Sequence, residues 1–448
     1  MPHWIERARR GAPALFVWAL WALLSAGLFA YVDHYQGDIP LADDLALVPL
    51  YTGAEPVTAP WLWQQYNEHR LPLPKLLLWG LGAASGWDYR AGAYFNCAAL
   101  SGLCLGMILT ARSLRGSTSV TDGVFPLALL HVGQAETLLF SFTVNLVTAA
   151  VLGGVALLIV VRARRTPTWR QGLLLGLVLL ALPLCGSAGV ALVPALAVWL
   201  GYAAVALWRS GQPGGRRHAV ALAALAALDC ALVGLYFWGY FRPVPPATEP
   251  PLAHRVRTSL QFFAGGLGPV AESIWPASAL LVVLLAGASA VLLAGVWRRQ
   301  PDERARALGL ALYACGIAAL GLGIGWGRAH LGDAAGFGSR YVTLAAPLLC
   351  CAYFAWVLYS GRLVPRLLLL TFAVFAAVDT VQGLQRGARR AEATAAIHAD
   401  IRRGLSPKQL GDKYASAIGL PGGEDIFAGR LEMMRQARQG PYRHQPEE

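Results

Sequence analysis

Apolar blocks of about 20 residues, the length of a helix that crosses the hydrocarbon core of a membrane, recur between residues 12 and 381. A segment in lipid must satisfy its own backbone hydrogen bonds, so each block is predicted to be a helix. Only 14% of the 448 residues are charged, whereas soluble domains carry about 25%. This composition excludes a water-soluble enzyme. The predicted fold class is all-α, a polytopic membrane protein.

The order of charges predicts how the chain is oriented. Arginines at 7–10 precede an apolar run at 12–31, which is longer than the core of a signal peptide. We therefore predict an uncleaved first helix with its amino end in the cytoplasm. Arginine is enriched in cytoplasmic loops, so the basic clusters at 162–170, 209–217, 298–306 and 362–366 are predicted on the same side. These clusters account for much of the net charge of +12, and no nucleic-acid partner is predicted.

The block boundaries leave the number of crossings open. After 12–31, the blocks lie at 72–86, 92–112, 122–140, 143–161, 171–186, 189–208, 218–241, 276–296, 307–326, 341–359 and 364–383. Twelve crossings would put both ends of the chain on one side, whereas the charges require opposite sides, so eleven are predicted. The short block 72–86 and the polar-interrupted block 122–140 are the two candidates for not crossing fully. Residues 1–383 form the predicted transmembrane domain, and 384–448 a small polar extracytoplasmic tail.

Polar functional groups are concentrated in the predicted external loops at 32–71, 241–275 and 326–341. In the first loop, Asp43 and Asp44 stand between apolar residues, and 41–50 is predicted to be a short amphipathic helix on the membrane surface. A carboxylate there can serve as a base, because desolvation raises its pKa and a nearby cation lowers it. The alternative is that Asp43 caps the amino end of a helix.

A charged run closes the first external loop. Glu68, His69 and Arg70 come just before the second apolar block, and Lys75 lies at its start. Arg70 and Lys75 are predicted to bind a phosphate, arginine as a planar fork and lysine as a point charge. The alternative is that both side chains reach towards lipid headgroups. Glu68 and His69 are predicted to contact substrate.

Further candidates lie near the predicted external boundary. Arg340 is predicted to bind a donor phosphate and Tyr341 to contact substrate, the alternative being a pair of interface anchors. His131 and Glu136 lie in an apolar block, where polar side chains are costly and therefore functional candidates. Both are predicted to reach the same cavity as substrate contacts. The seven cysteines show no metal-ligand spacing, so no metal ligand is assigned.

The order of motifs near the amino end resembles a known superfamily. An amino-terminal anchor, the external pair Asp43-Asp44, a Pro-Lys entry at 74–75 and a polar turn at 86–92 follow one another. This order resembles the GT-C superfamily of polyprenyl-phosphate-dependent glycosyltransferases, particularly protein mannosyltransferases and lipid A aminoarabinose transferases. The resemblance covers residues 12–116 and implies a GT-C-like helical bundle.

The resemblance also implies a reaction. Asp43, with Asp44 as substitute, would accept the proton of an acceptor hydroxyl, while Arg70, Lys75 and Arg340 would stabilise the departing phosphate. A sugar would be transferred with inversion from a polyprenyl-phosphate donor to an external lipid, glycan or protein. The expected location is the bacterial cytoplasmic membrane, among membrane lipids, with the active site facing outward. No cofactor is expected, although some GT-C enzymes use a divalent metal.

Two other functions compete with this one. A transporter or flippase of a lipid-linked sugar predicts functional polar groups and broken helices near the membrane centre, for example around Asp229 and Pro183. An O-antigen polymerase or ligase is the second alternative. The concentration of polar groups in loops on one side favours an enzyme.

Overall fold

A computed structural model describes residues 3–242 and 248–443, with side chains from Gly11 onward. The described residues are mostly helical, and the one strand pair among them is a hairpin of β1 (Gln65–Tyr66) and β2 (His69–Arg70). The predicted helical class is confirmed. The side chains of the arginines at 7–10, on which the predicted orientation depends, lie outside the described part of the chain.

Helices of very different lengths make up the fold. They are α1 (His3–Tyr35), α2 (Val48–Tyr51), α3 (Ala59–Trp63), α4 (Pro72–Ser85), α5 (Ala91–Arg115), α6 (Val124–Leu129), α7 (Ala135–Leu139), α8 (Val144–Val161), α9 (Trp169–Ala181), α10 (Ser187–Val190), α11 (Val193–Arg209), α12 (Gly215–Phe237), α13 (Leu252–Gly265), α14 (Ala277–Arg299), α15 (Arg304–Arg328), α16 (Val342–Tyr359), α17 (Leu363–Arg402), α18 (Pro407–Tyr414) and α19 (Glu424–Gln436). Several are joined by 3₁₀ turns, among them Ala42–Leu47, Leu182–Cys185 and Ser339–Tyr341.

Within the described ranges, nine helical segments are long and apolar enough to cross a membrane. They are built on α1, α5, α8, α11, α12, α14, α15, α16 and α17. Two shorter apolar segments, Val120–Leu129 and Trp169–Cys185, accompany them. The chain is therefore a multi-pass helical membrane protein, as its hydropathy predicts.

Both blocks that were candidates for not crossing fully differ from the long helices. Block 72–86 forms α4, whose 14 residues extend about 21 Å, less than the hydrocarbon core of about 30 Å. Gly86 ends α4 with a φ of 66°, the left-handed conformation that favours glycine. Block 122–140 is divided into α6 and α7. At this break Gly133 approaches Asp379 so closely that an added Cβ would lie 2.6 Å from the Asp379 Cβ.

The last long helix runs past the predicted domain boundary at 383. Helix α17 continues for 40 residues to Arg402, and Gly404 then reverses the chain with a φ of 83°. Residues 384–402 are charged and polar, yet rich in alanine and arginine, which are strong helix formers. Hydropathy drops at 383 whereas helix propensity does not, so the boundary falls inside one helix.

The tail, residues 403–443, packs against the first loop. Leu45, Val48, Phe427 and Leu431 are buried in one apolar cluster, and His398 and Asp38 are joined by a hydrogen bond of 2.7 Å between Nε2 and Oδ1. The predicted surface helix at 41–50 is helical, but it is buried beneath the tail rather than lying on the membrane surface. The tail supplies the apolar cover that the prediction assigned to lipid.

Candidate functional site

Polar segments far apart in the chain meet at one end of the helical bundle. There a cavity of about 600 Å³ opens between the β1–β2 hairpin, the first residues of α8 and α10, the end of α15 and the start of α16. Its polar lining consists of Asp43, Tyr66, Asn67, Glu68, His69, Thr143, Asn145, Ser187, Tyr240, Arg242, Arg328, Arg340 and Tyr341. Apolar residues complete the walls, and most of them belong to α15, so the cavity has a polar and an apolar side.

Asp43 and Arg340 form an ion pair in this cavity. The Arg340 Nη1 atom lies 3.2 Å from the Asp43 Oδ2 atom, and the two side chains are 36% and 48% exposed. Glu136 accepts the Arg340 backbone N–H at 3.2 Å, and its carboxylate lies 3.9 Å from Arg340 Nε. The alternative role of Asp43 as a helix cap is wrong, because the cap position is Leu41 and no side chain caps this turn.

The hairpin brings a second ion pair to the cavity. Asn67 in its turn has a φ of 46°, and asparagine is among the few non-glycine residues that adopt this conformation readily. Glu68 then lies beside Arg328, at 3.3 Å between Oε2 and Nη2. Two carboxylates of the first loop are thus paired with arginines, Asp43 with Arg340 and Glu68 with Arg328.

His69 lies between the two pairs and contacts Ser187. Its Nδ1 atom is 3.0 Å from the Ser187 Oγ atom. Burial, together with the charge of Arg328, lowers the pKa of His69 to about 4, so the imidazole is neutral at pH 7. Gly186 has a φ of 104°, and an added Cβ would lie 2.9 Å from the Leu71 Cδ2 atom. Glycine is therefore required where this turn approaches the hairpin.

Asp44 is adjacent to Asp43 but does not line the cavity. It is 1% exposed and lies 3.9 Å from the guanidinium of Arg390 on α17. Its Oδ1 atom accepts the Phe142 backbone N–H at 2.7 Å. Burial raises the pKa of Asp44 to about 7, and Arg390 and the N–H donor oppose this rise. Asp44 therefore connects the first loop to α17 and to the turn that precedes α8.

Arg70 and Lys75, both predicted to bind phosphate, do not line the cavity. Arg70 is buried and donates to the backbone carbonyls of Tyr236, Trp63 and Trp238 at 3.0, 2.9 and 2.8 Å. The Lys75 ammonium donates to the carbonyls of Trp61 and Gln64 at 2.6 and 3.0 Å. Burial lowers the pKa of Lys75 to about 8. In this structure both cations hold loop backbone together.

His131 is buried away from the cavity, whereas Glu136 and Tyr341 reach it or its ion pairs. The His131 Nδ1 atom lies 4.0 Å from the Asp379 Oδ2 atom, and both side chains are almost fully buried. His131 stands at the break between α6 and α7, which turns it towards α17. The next helix, α7, carries Glu136 to Arg340.

Several cavity residues were not among the predicted ones. Arg328, Arg242 and Ser187 belong to this group. Arg328 follows an apolar block and lies close to Trp326. This position is typical of an interface anchor, so the sequence around Arg328 did not specifically indicate a cavity residue. Ser187 follows a glycine between two apolar blocks and gave none.

Among the described residues, no group of three or more His, Cys, Asp or Glu side chains is arranged to hold a metal ion. No protein-family model, curated protein or solved structure matches the chain. Any function assigned to the cavity therefore rests on its own geometry and chemistry.

Proposed function

We propose that the protein is a glycosyltransferase of the bacterial cytoplasmic membrane, which moves a sugar from a polyprenyl-phosphate donor to an acceptor on the outer side. The observation that carries this proposal is the ion pair of Asp43 and Arg340 in a cavity with one polar and one apolar side. The two residues are 297 positions apart. A proton acceptor beside a phosphate-binding cation is the minimum that transfer from a lipid phosphate needs.

The positions of the basic loops support the outward orientation. Eleven crossings result if the segment Trp169–Cys185 and the broken pair of α6 and α7 each cross once in addition to the nine long helices, and α4 then lies outside the membrane. With this count, the arginine-rich connections after α8, α11 and α14 lie on the cytoplasmic side. The cavity and the tail then lie on the outer side of the membrane. In a GT-C-like bundle, this is the side on which polyprenyl-linked sugars are used.

The reaction uses the ion pair in two steps. The donor phosphate binds Arg340 and competes with Asp43 for the guanidinium. The freed Asp43 carboxylate accepts the proton of the acceptor hydroxyl, whose oxygen forms a bond to the sugar C1 atom as the bond from C1 to the phosphate oxygen breaks. Polyprenyl phosphate leaves with the bonding electrons, stabilised by Arg340. Attack from the face opposite the leaving group inverts C1.

The remaining polar wall suits a sugar. Glu68 accepts and Arg328 donates hydrogen bonds, and neutral His69 offers a nitrogen without adding charge. Tyr341 presents an aromatic ring next to them. A transporter is less well supported. The helix does break at Pro183, but where the chain reaches the cavity, while α12 continues without a break through Asp229 and the ion pairs lie at one end of the bundle.

Replacing Asp43 with asparagine tests the proposal. The amide cannot accept the proton, so we expect transfer to fall by about 100-fold or more. The assay uses purified protein in liposomes, a panel of radiolabelled polyprenyl-phosphate hexoses and pentoses, and envelope lipids and glycans as acceptors. Product is measured as label transferred to the acceptor together with released polyprenyl phosphate.

Asp33→Asn is the matched control, since Asp33 bonds the Tyr94 hydroxyl at 3.0 Å on the surface and lies outside the cavity. This control should transfer normally. Wild-type rates in Asp43→Asn would contradict the assignment of the base. Translocation of the donor across sealed liposomes without transfer would instead favour the transporter.

A further inference from the structure

A second cavity lies at the side of the helical bundle, between α14, α15 and α16. Its volume is about 830 Å³, larger than that of the candidate site. Apolar side chains line almost all of it, and many are small, such as Gly287, Ala290 and Ala311. Larger side chains at these positions would fill the space between α14 and α15, so the small residues leave a groove between the two helices.

The groove is open to the lipid phase. Ala290 and Ala294 on α14 and Cys315 on α15 are exposed along its opening. Its floor is formed by α16, where Leu349 and Ala355 are buried. A hydrocarbon chain can therefore enter sideways and needs no route through water.

The groove extends away from the candidate site. Residues 307–318 of α15 border the groove, whereas residues 319–328 border the candidate site. Phe263 lies at the near end and Trp297 with Arg298 at the far end. From Val282 to Trp297 the groove follows α14 for about 22 Å, which is more than one leaflet of the hydrocarbon core.

Positive charge marks the far end. Arg298 lines the groove and Arg299 follows it. Neither has a carboxylate partner among the residues that the structure describes, although nearby Arg306 is paired with Glu303. A guanidinium at this depth attracts a lipid phosphate.

We propose that the groove binds one anionic glycerophospholipid, with an acyl chain between α14 and α15 and its phosphate at Arg298 and Arg299. The lipid comes from the leaflet opposite the candidate site. A polyprenyl-phosphate donor seated here would place its phosphate at the wrong end of the bundle for Asp43. The inference therefore does not depend on the proposed glycosyl transfer.

Native mass spectrometry of protein released from nanodiscs of phosphatidylethanolamine and phosphatidylglycerol tests this inference. We expect wild type to retain one phosphatidylglycerol in preference to phosphatidylethanolamine. The double variant Gly287→Leu/Ala290→Leu fills the groove and should lose the bound lipid, since a Cβ added at Gly287 meets no atom within 4 Å and the helix can accept the change. Arg298→Ala should reduce the preference for phosphatidylglycerol by about fivefold.

Two controls are matched to these variants. Gly295→Leu lies on the same helix but outside the groove, and a Cβ added there also meets no atom within 4 Å. Arg217→Ala removes an arginine from another basic cluster. Both should retain the lipid as wild type does.

Three results would overturn the inference. The first is equal lipid retention in wild type and the groove-filled variant. The second is loss of lipid only on Arg298→Ala, which would mean attraction to the surface without a seated chain. The third is displacement of phosphatidylglycerol by polyprenyl phosphate added at the same mole fraction, which would assign the groove to the carrier.

Discussion

Two adjacent aspartates occupy opposite environments. The Asp43 side chain is 48% exposed in the cavity, whereas that of Asp44 is 1% exposed. The chain reaches this arrangement through Ala42, which has a φ of 49°, a conformation that costs a non-glycine residue about 1 kcal/mol or more. Burial of the neighbouring leucines and the contacts of Asp44 offset this cost. Asp44 thus holds Asp43 in place but takes no part in the proposed reaction.

The burial of Asp44 predicts that the free energy of unfolding depends on pH. Burial raises the pKa of Asp44 from 3.8 to about 7, so between these values the folded state binds a proton that the unfolded state has released. Stability from this group is therefore present at low pH and is lost as pH rises through about 7. Asp44→Asn keeps an oxygen for the Phe142 N–H and has no proton to release.

We expect the stability of wild type relative to Asp44→Asn to fall by about 3 kcal/mol between about pH 5 and about pH 8. The measurement is thermal unfolding of both proteins in detergent across this range. Parallel curves for the two proteins would mean that Asp44 does not change its protonation on folding.

At the scale of elements, Arg70 fixes the β1–β2 hairpin to the end of α12. Its guanidinium donates to the carbonyls of Tyr236, Trp63 and Trp238, so the ends of α3 and α12 converge on one side chain. Lysine cannot replace it, because an ammonium on a single carbon chain does not present the same planar fork. The hairpin carries Glu68 and His69, so Arg70 determines where both lie.

Arg70→Ala should leave these three carbonyls without the Arg70 donors. We expect a loss of about 3 kcal/mol or more, since each hydrogen bond to a charged group contributes about 1.5–3 kcal/mol, and Arg70→Lys should recover only part of it. Thermal unfolding in detergent measures the change. Arg257→Ala is the control, because Arg257 is 43% exposed and pairs with an exposed Asp333. An equal effect of both alanine variants would contradict the role of Arg70.

Element boundaries could be predicted where hydropathy and helix propensity agree. The long spans follow the apolar blocks closely, because lipid requires both an apolar surface and internal hydrogen bonds. The two criteria separate beyond residue 383, where α17 continues as a polar helix. They also separate at 130–134, where a break inside an apolar block directs His131 to Asp379 and Glu136 to Arg340.

At the scale of the whole molecule, the tail and the first loop form one apolar cluster outside the membrane-spanning helices. Phe427 and Leu431 of α19 are buried against this loop, and the Gln439 amide donates to the Tyr51 carbonyl at 2.7 Å. The loop that carries Asp43 therefore depends on residues nearly 400 positions away.

Phe427→Ala should destabilise this cluster by about 3–5 kcal/mol, the usual cost of removing a buried phenylalanine. Ile426→Ala is the matched control on the same helix, since Ile426 is 54% exposed and should have little effect. Limited proteolysis of the first loop, followed by mass spectrometry, measures the result. Equal protection of the loop in both variants would show that the tail does not hold it.

The sequence could not predict which loops contact each other. Charges near a predicted boundary indicated that Asp43, Glu68 and Arg340 are functional candidates, because such groups are costly near lipid. The sequence around Arg70 and Arg328 does not distinguish the two. Arg70 donates to backbone carbonyls, whereas Arg328 lines the cavity. That difference depends on the approach of α12 and α15 to the hairpin, which is set by packing over long sequence distances.

The 40-residue helix α17 is a rod about 60 Å long, twice the thickness of the hydrocarbon core. Its far end joins the tail, and Arg390 on its side touches Asp44. A continuous hydrogen-bonded helix resists bending, so its membrane-embedded half and the half that carries the tail move together. A displacement of the tail would therefore reach the first loop by two routes, through Arg390 at Asp44 and through the apolar cluster.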